Sequence, residues 1–561
     1  MSRSKLHGWL NRHAHLALAA EREGWSTAEA VARAEALRLS RRQFLGASAA
    51  AGLLPLAACG GDDGPPAPKP DLRVGVIGGG MAGLHAAYRL RKGGVLATVY
   101  EASNRVGGRM FTARGMYPEG QVAELGGELI DTGHEVMRAL AAELELELDD
   151  LYANEPANFA RDTYYFEGAR VTETQLIDLF RPVATKMADA VAAAEAEGDA
   201  GAAEFERLDA LSISEWLAGE GQADPLLAKI LELTYTGEYG LQAEEQSIFN
   251  LLYLIDYEAP DPFRLYGDSD ERFHTHLGSD RFPTKLAEAL SSQVQLDTLL
   301  EKVERLADGR YRCSFQRGSG AFEDTVDHLI VALPFTKLRE VDLTTAGIST
   351  EKQELIDQLG YGTNAKLMGG FSSQVWRTQH NASGASYSDL GIQTTWDTAR
   401  GQPGTAGLIT VFLGGVAGLM SDQGTPESRY QAALPHLETL WPGTQAAYQA
   451  NSALRMHWPT APFAKGSYAC YRPGQWAYYG LEGERQDNLH FCGEHTSLDF
   501  QGYMEGAAES GAKVAAEILS DLGLSSGQAL RAALGPRRQT SLLRLRRQAR
   551  RRYLRRLGAG R

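Results

Sequence analysis

Cysteine is scarce. The 561 residues contain four, Cys59, Cys313, Cys470 and Cys492. None forms a Cys-x-x-Cys pair and their spacing matches no metal site, so neither a disulfide framework nor a metal centre is expected. Long apolar runs are also missing: no stretch approaches the ~20 apolar residues that a membrane span needs. Excess positive charge is missing too. The net charge is −15, which argues against nucleic-acid binding. That average hides an asymmetry, because Arg531 to Arg561 holds twelve arginines and no acid, leaving −27 on the residues before it. An acidic body of that kind attracts cations or simply stays soluble. No internal repeat is visible. What remains is an ordinary globular composition, 43% hydrophobic and 23% charged, on a chain long enough for two or three domains.

The first 71 residues read as an address rather than a fold. Residues 1–39 are a helix-prone extension. Ser40-Arg41-Arg42-Gln43-Phe44-Leu45-Gly46 looks like a twin-arginine export signal, and the apolar run Ala47 to Ala58 after it is too short to span a bilayer. The run ends Leu56-Ala57-Ala58-Cys59-Gly60, similar to a lipoprotein cleavage box in which Cys59 is lipidated. A periplasmic or other extracytoplasmic location is expected, with membrane anchoring through Cys59 as a hypothesis. Residues 60–71 are a Gly/Pro-rich linker. At the other end, 526–561 is a basic tail. There Leu542, Leu545, Ala549, Tyr553 and Leu557 make an apolar stripe on an arginine-crowded helix, suited to an anionic membrane or an acidic partner. A solvated tail is the alternative.

The folded part opens with a dinucleotide fingerprint. Leu72–Ile77 reads as a buried strand, Gly78-Gly79-Gly80-Met81-Ala82-Gly83 supplies G-x-G-x-x-G, and a helix follows. Gly78 permits the tight turn, Gly80 lets a pyrophosphate approach the helix N-terminus, and Gly83 lets helix and strand pack closely. A second strand, Val95–Tyr100, ends at Glu101, placed to accept hydrogen bonds from ribose hydroxyls.

Further motifs separate FAD from NAD. Glu101-Ala102-Ser103-Asn104-Arg105-Val106-Gly107-Gly108-Arg109, Glu124-Leu125-Gly126-Gly127-Glu128 and Leu489–Ser497 with Gly502–Gly511 resemble the flavin-containing amine oxidase family across roughly residues 72–525. The resemblance implies an α/β fold: a Rossmann-like FAD-binding domain from segments 72–130, 280–340 and 485–525, with an inserted α+β substrate domain from 131–279 and 341–484. It implies FAD held by Arg109, by the strip Gly126, Gly127 and Glu128 beside the flavin ring, by the backbone of Val303 at the adenine, by Gly493 and Glu494 at the ribityl chain, and by the helix opening at Gly502, Tyr503 and Met504. Ser467 stands where some members carry a flavin-linked cysteine, so non-covalent FAD is expected.

The same resemblance places Lys366 near flavin N5, holding a water, and Tyr468 and Tyr503 as two aromatics flanking the amine. The implied reaction moves a hydride from the carbon beside nitrogen to the flavin; the imine hydrolyses and O2 becomes H2O2. Trp376 matches a recurrent family tryptophan and Trp396 lies in a plausible pocket strand; core packing is the alternative for both. Phe249, Tyr253 and Tyr257 have helical spacing, with Asp256 and Glu258 nearby as receivers of a second cationic group. An L-amino-acid oxidase needs a cation for the substrate carboxylate. The arginine that several such oxidases carry after the glycine strip is absent from Glu128-Leu129-Ile130, although Arg264 or Arg472 could replace it. Substrate candidates are therefore a plain amine first and an L-amino acid second. A flavin desaturase, a protoporphyrinogen-type oxidase and a non-enzymatic binder remain behind them.

Overall fold

A short run without charge is stable in a parallel sheet only when both its faces are covered. Val74–Ile77 is such a run and is buried at every position. It pairs in parallel with Ala97–Tyr100 on one side and His328–Val331 on the other. Val294–Gln295 and Leu489–Phe491 complete a five-stranded parallel sheet at its two edges. The computed structural model describes residues 72–524 apart from 154, 157, 158, 197, 260 and 261. The twin-arginine motif, Cys59, the linker and the basic tail lie outside the described residues.

Two helices cover one layer of this sheet. Met81–Lys92 follows the glycine loop, and Met504–Asp521 packs along it. Their approach is close because the contact residues are small. A side chain at Gly511 would run into the Ala82 carbonyl, and one at Gly83 into the Gly78 carbonyl. A second, four-stranded sheet contains Thr298–Arg305, Tyr311–Arg317, Gly320–Val326 and Asp342–Thr345. The last of these strands lies beyond the expected boundary at 340, held by its parallel pairing to Lys302 and Glu304.

The inserted residues form an α+β unit. Its seven-stranded sheet runs in the order Leu454–His457, Ala365–Phe371, Gly407–Leu413, Gln393–Asp397, Ala382–Ser388, Ala160–Phe166, Ala169–Val171. Both insertions thus contribute strands to one sheet. The helices beside it start at sequence-encoded caps: Thr172 and Gln175 form a capping box for Glu173–Ala194, Ser212 and Glu215 for Ile213–Ala218, and Asp224 caps Pro225–Tyr239. Gly240, at φ +76°, ends the last of these in the left-handed conformation. The molecule is α/β, with a Rossmann-like sheet and an inserted α+β unit.

The stripe Phe249–Tyr253–Tyr257 does not persist as a helix face. The helix is Ile248–Leu252; Tyr253 still stacks on Phe249 at 5.2 Å, but Tyr257 lies past the helix end, half-buried against the large core.

Candidate active site

A cavity of about 710 Å3 runs from the glycine loop to the N-terminus of Met504–Asp521, within the size range of cofactor sites. Its first end is made by backbone. Gly78, at φ +105°, turns the chain under the Ala332 carbonyl, and no atom lies within 4 Å of where a Gly80 side chain would begin. Gly80 caps Met81–Lys92 without any side-chain hydrogen bond, so that helix presents uncapped N–H groups and its positive dipole end to the cavity. The Gly107 N–H donates to the Gly79 carbonyl at 2.8 Å, lacing the second glycine turn to the first. Glu101 ends its strand buried, accepting the Gly79 and Ser103 N–H groups at 2.6 and 2.8 Å. These features fit a dinucleotide: uncapped donors for a pyrophosphate, open space at Gly80, and a fixed carboxylate on the wall.

The far end holds the other motifs. Gly126 packs against Arg109 so tightly that a side chain there would collide with the Arg109 carbonyl; one at Gly127 would lie 2.8 Å from Met504. Arg109 donates to the Ser467 carbonyl and, at 3.0 Å, to Glu494. Glu494 also accepts the N–H groups of Gly502 at 2.8 Å and Ala469 at 3.3 Å. Gly493, Glu494, Gly502 (φ +88°), Tyr503 and Met504 all line the cavity, and Met504–Asp521 begins without a side-chain cap.

Lys366 sits in the strand Ala365–Phe371, second in the seven-stranded sheet, with its side chain 6% exposed. Its ammonium donates to the carbonyls of Glu124 and Gly126 at 3.1 and 2.8 Å and to Glu128 Oε2 at 2.8 Å. An ammonium has three protons, and all three have acceptors here, so Lys366 clamps the glycine strip where the sequence suggested it would hold a water. Glu128 turns its side chain to this pair, with Oε1 accepting from Trp396 Nε1 at 3.0 Å. The Trp396 ring lies 5.0 Å from the ammonium, a cation–π contact. Trp396 therefore supports the wall and is absent from the cavity lining.

Tyr468 and Tyr503 line the same end. The Tyr468 hydroxyl donates to the Glu238 carbonyl, and burial keeps both phenols protonated far above the ordinary range. The Tyr503 ring meets His134 edge-on at 5.3 Å.

Several expected contacts are not made. The Val303 side chain is buried in the core, the residues of its strand that line the cavity are Thr298 to Glu301, and Val303 itself pairs with Cys313. Trp376 is also core, donating to Asp397 at 2.9 Å. Arg264 is paired with Asp256, and Arg472 with Glu245 at 3.1 Å; neither lines the cavity. Asp256 is thereby removed as a receiver of substrate charge. The residues that sequence reasoning missed are Asn364, Phe412 and Trp458 on the cavity wall and the acids Asp131 and Glu238 near Tyr503. None belongs to a spaced motif.

With this geometry in place, comparison with known proteins is informative. A family model described as flavin containing amine oxidoreductase matches residues 81–519. An L-amino-acid oxidase of Siganus canaliculatus is 24% identical over 523 residues, covering 86% of this chain and 94% of its own. A putative flavin-containing monoamine oxidase of Mycobacterium tuberculosis is 26% identical over 466 residues, covering 79% and 96%. Among solved structures, a putrescine oxidase bound to putrescine aligns with a TM-score of 0.67 at 20% identity, over 80% of this chain and 99% of that one.

Proposed function

The chain belongs to the flavin-containing amine oxidoreductase family, and from that premise we propose that its substrate is an amine in preference to an L-amino acid. It is an FAD-dependent oxidoreductase acting on CH–NH or CH–NH2 groups. FAD, when bound, supplies the hydride acceptor and the route of electrons to O2. The chain's own residues do the rest. The uncapped N–H groups after Gly80, with Glu101 and Arg109, hold the cofactor's phosphates and ribose. Lys366, locked to Glu128 and two carbonyls, fixes the strip Gly126–Gly127 and keeps a positive charge on the wall. Tyr468 and Tyr503, neutral and half-buried, exclude water and orient the substrate nitrogen.

The observation that carries the amine reading is the electrostatics of the tyrosine end. The arginines offered for a substrate carboxylate, Arg264 and Arg472, are each consumed by an acid away from the cavity. The groups facing Tyr503 are carboxylic, Glu238 and Asp131. Both are pushed up to about 7 by burial, so this end already disfavours negative charge and a substrate carboxylate would add to it. Horseradish-peroxidase-coupled H2O2 release from panels of alkyl- and arylamines and of L-amino acids tests this; peroxide from L-amino acids alone refutes it.

The cofactor is non-covalent in this reading. Ser467 lines the wall, its hydroxyl 2.5 Å from Asn364 Oδ1, and no described cysteine does. Acid precipitation should therefore release all the flavin. Export by the twin-arginine route to the periplasm is proposed from Arg41 and Arg42, and membrane attachment from Cys59 and the basic tail. Replacing both arginines by lysine should keep the enzyme in the cytoplasmic fraction; unchanged fractionation contradicts export.

A further inference from the structure

A helix leaves the carbonyls of its last turn without partners inside itself. In Pro225–Tyr239 the Gly240 N–H closes on the Thr236 carbonyl at 3.0 Å, and the next two carbonyls are met from elsewhere. Both are met from the tyrosine end of the cavity. The Glu238 carbonyl accepts the Tyr468 hydroxyl, and the Gly237 carbonyl accepts a proton of Asn364 Nδ2 at 2.6 Å. The helix end thus holds the Tyr468 hydroxyl only as firmly as the helix is registered against the chain that carries Tyr468.

Asn364 makes that registration. It precedes strand Ala365–Phe371, is buried and lines the cavity. Its Oδ1 accepts the Ser467 hydroxyl at 2.5 Å. One amide therefore joins the residue before Tyr468 to the residue before Glu238. Its orientation is fixed, because the Gly237 carbonyl can only accept.

The backbone around this amide is drawn tight. The Gly362 N–H donates to the Tyr468 carbonyl and the Gly362 carbonyl accepts the Ser467 N–H, each at 2.9 Å. The Thr363 N–H donates to the Gly240 carbonyl at 2.8 Å. A side chain at Gly362 would strike the Tyr239 carbonyl and the Ser467 hydroxyl, and one at Gly240 would strike Asn364 Oδ1. Three segments far apart in the chain meet here without slack. The Tyr468 ring is held more loosely. It is half-buried, and a Cβ added at Gly502 would still lie 3.7 Å from it. Its hydroxyl and its backbone are pinned to different segments, so a shift between helix end and Ser467 turns the ring.

We propose that Asn364 is a positioning residue for Tyr468: by tying the C-terminal carbonyls of Pro225–Tyr239 to Ser467, it sets the angle of the ring that orients the substrate. Asn364 acts through that ring and transfers neither proton nor electron. Misaiming a bound substrate by a fraction of an ångström slows the chemical step more than it weakens binding. This rests on the orienting role given to Tyr468 above and names what enforces it.

The test is a double-mutant cycle read on the limiting rate of anaerobic flavin reduction and on substrate Kd, with whichever substrate releases most peroxide. Asn364→Ala should lower the limiting rate at least tenfold, with Kd and bound flavin each within twofold of the unsubstituted enzyme. In a Tyr468→Ala background the same substitution should change the rate less than twofold, since no ring remains to be aimed. Losses that multiply in the double variant overturn the proposal, as does an Asn364→Ala loss carried by Kd or flavin content alone. Should Asn364→Ala fold poorly, Ser467→Ala breaks the other end of the bridge. Its loss of at least threefold should likewise vanish with the ring, and multiplying losses again overturn the proposal. Fluorotyrosine in place of Tyr468 gives a readout without turnover. Its fluorine resonance should broaden or split in Asn364→Ala and Ser467→Ala, and an unchanged resonance in both overturns the proposal. A loss below threefold in Tyr468→Ala alone fails the orienting role itself, and is told apart because Asn364 is intact in that variant.

Discussion

Lys366→Met is the most informative single perturbation of the wall. The substitution removes a cation whose three protons are all used and whose side chain is 6% exposed, facing a Glu128 side chain 4% exposed. Glu128 would keep one hydrogen bond, from Trp396, and lose its counter-charge. Breaking one side of a buried pair costs about 3–5 kcal/mol, most of it the stranded charge. With an unfolding entropy of about 2.1 cal/mol/K per residue, roughly 450 folded residues convert this to a Tm lower by about 3–5 °C. Adding Glu128→Gln removes the stranded charge, so the double variant should recover more than half of the loss. Differential scanning fluorimetry of the four forms, all loaded with FAD, gives the cycle. A Lys366→Met loss of less than 1 °C, or a double variant no better than the single, would refute the clamp and restore a solvent-holding role for Lys366.

Other consequences follow from single contacts. Gly83→Ala places a methyl group against the Gly78 carbonyl and the side chain of Val76; the purified protein should carry less than a tenth of the flavin of the unsubstituted enzyme, read from absorbance near 450 nm. Glu271, raised to about 8 by burial, binds a proton in the folded state that the unfolded chain has already released. Stability is therefore lost as pH rises from its ordinary range through about 8. Glu271→Gln should raise Tm at pH 8.5 and leave it unchanged at pH 5, and equal shifts at both would contradict the assignment. Arg472→Ala and Arg264→Ala should each leave KM for any L-amino acid turned over within twofold, since both guanidinium groups are held away from the cavity.

The parts legible from the sequence are those where backbone geometry dictates residue type. Gly78, Gly83 and Gly126 face carbonyl oxygens at distances no side chain tolerates, so the motif and the contact are the same fact. Lys366 was found by its context, but its partners were not: Glu124, Gly126 and Glu128 lie some 240 residues away. Val303 is not among the residues lining the cavity, which its strand reaches at Thr298 to Glu301; the register of that strand shifts between Leu300 and Lys302. Trp376 matched a motif yet serves the core. Glu238 carries no local signal; it lies in the last turn of a helix, and only the fold brings it toward Tyr503.

The central claim is that the tyrosine end of the cavity accepts an amine and rejects a carboxylate. Anaerobic stopped-flow reduction of the bound flavin by 2-phenylethylamine and by L-phenylalanine tests it most directly, since the two differ only in that carboxylate. Bleaching by the amine at least a hundredfold faster than by the amino acid is the predicted result. Faster bleaching by L-phenylalanine would contradict the claim.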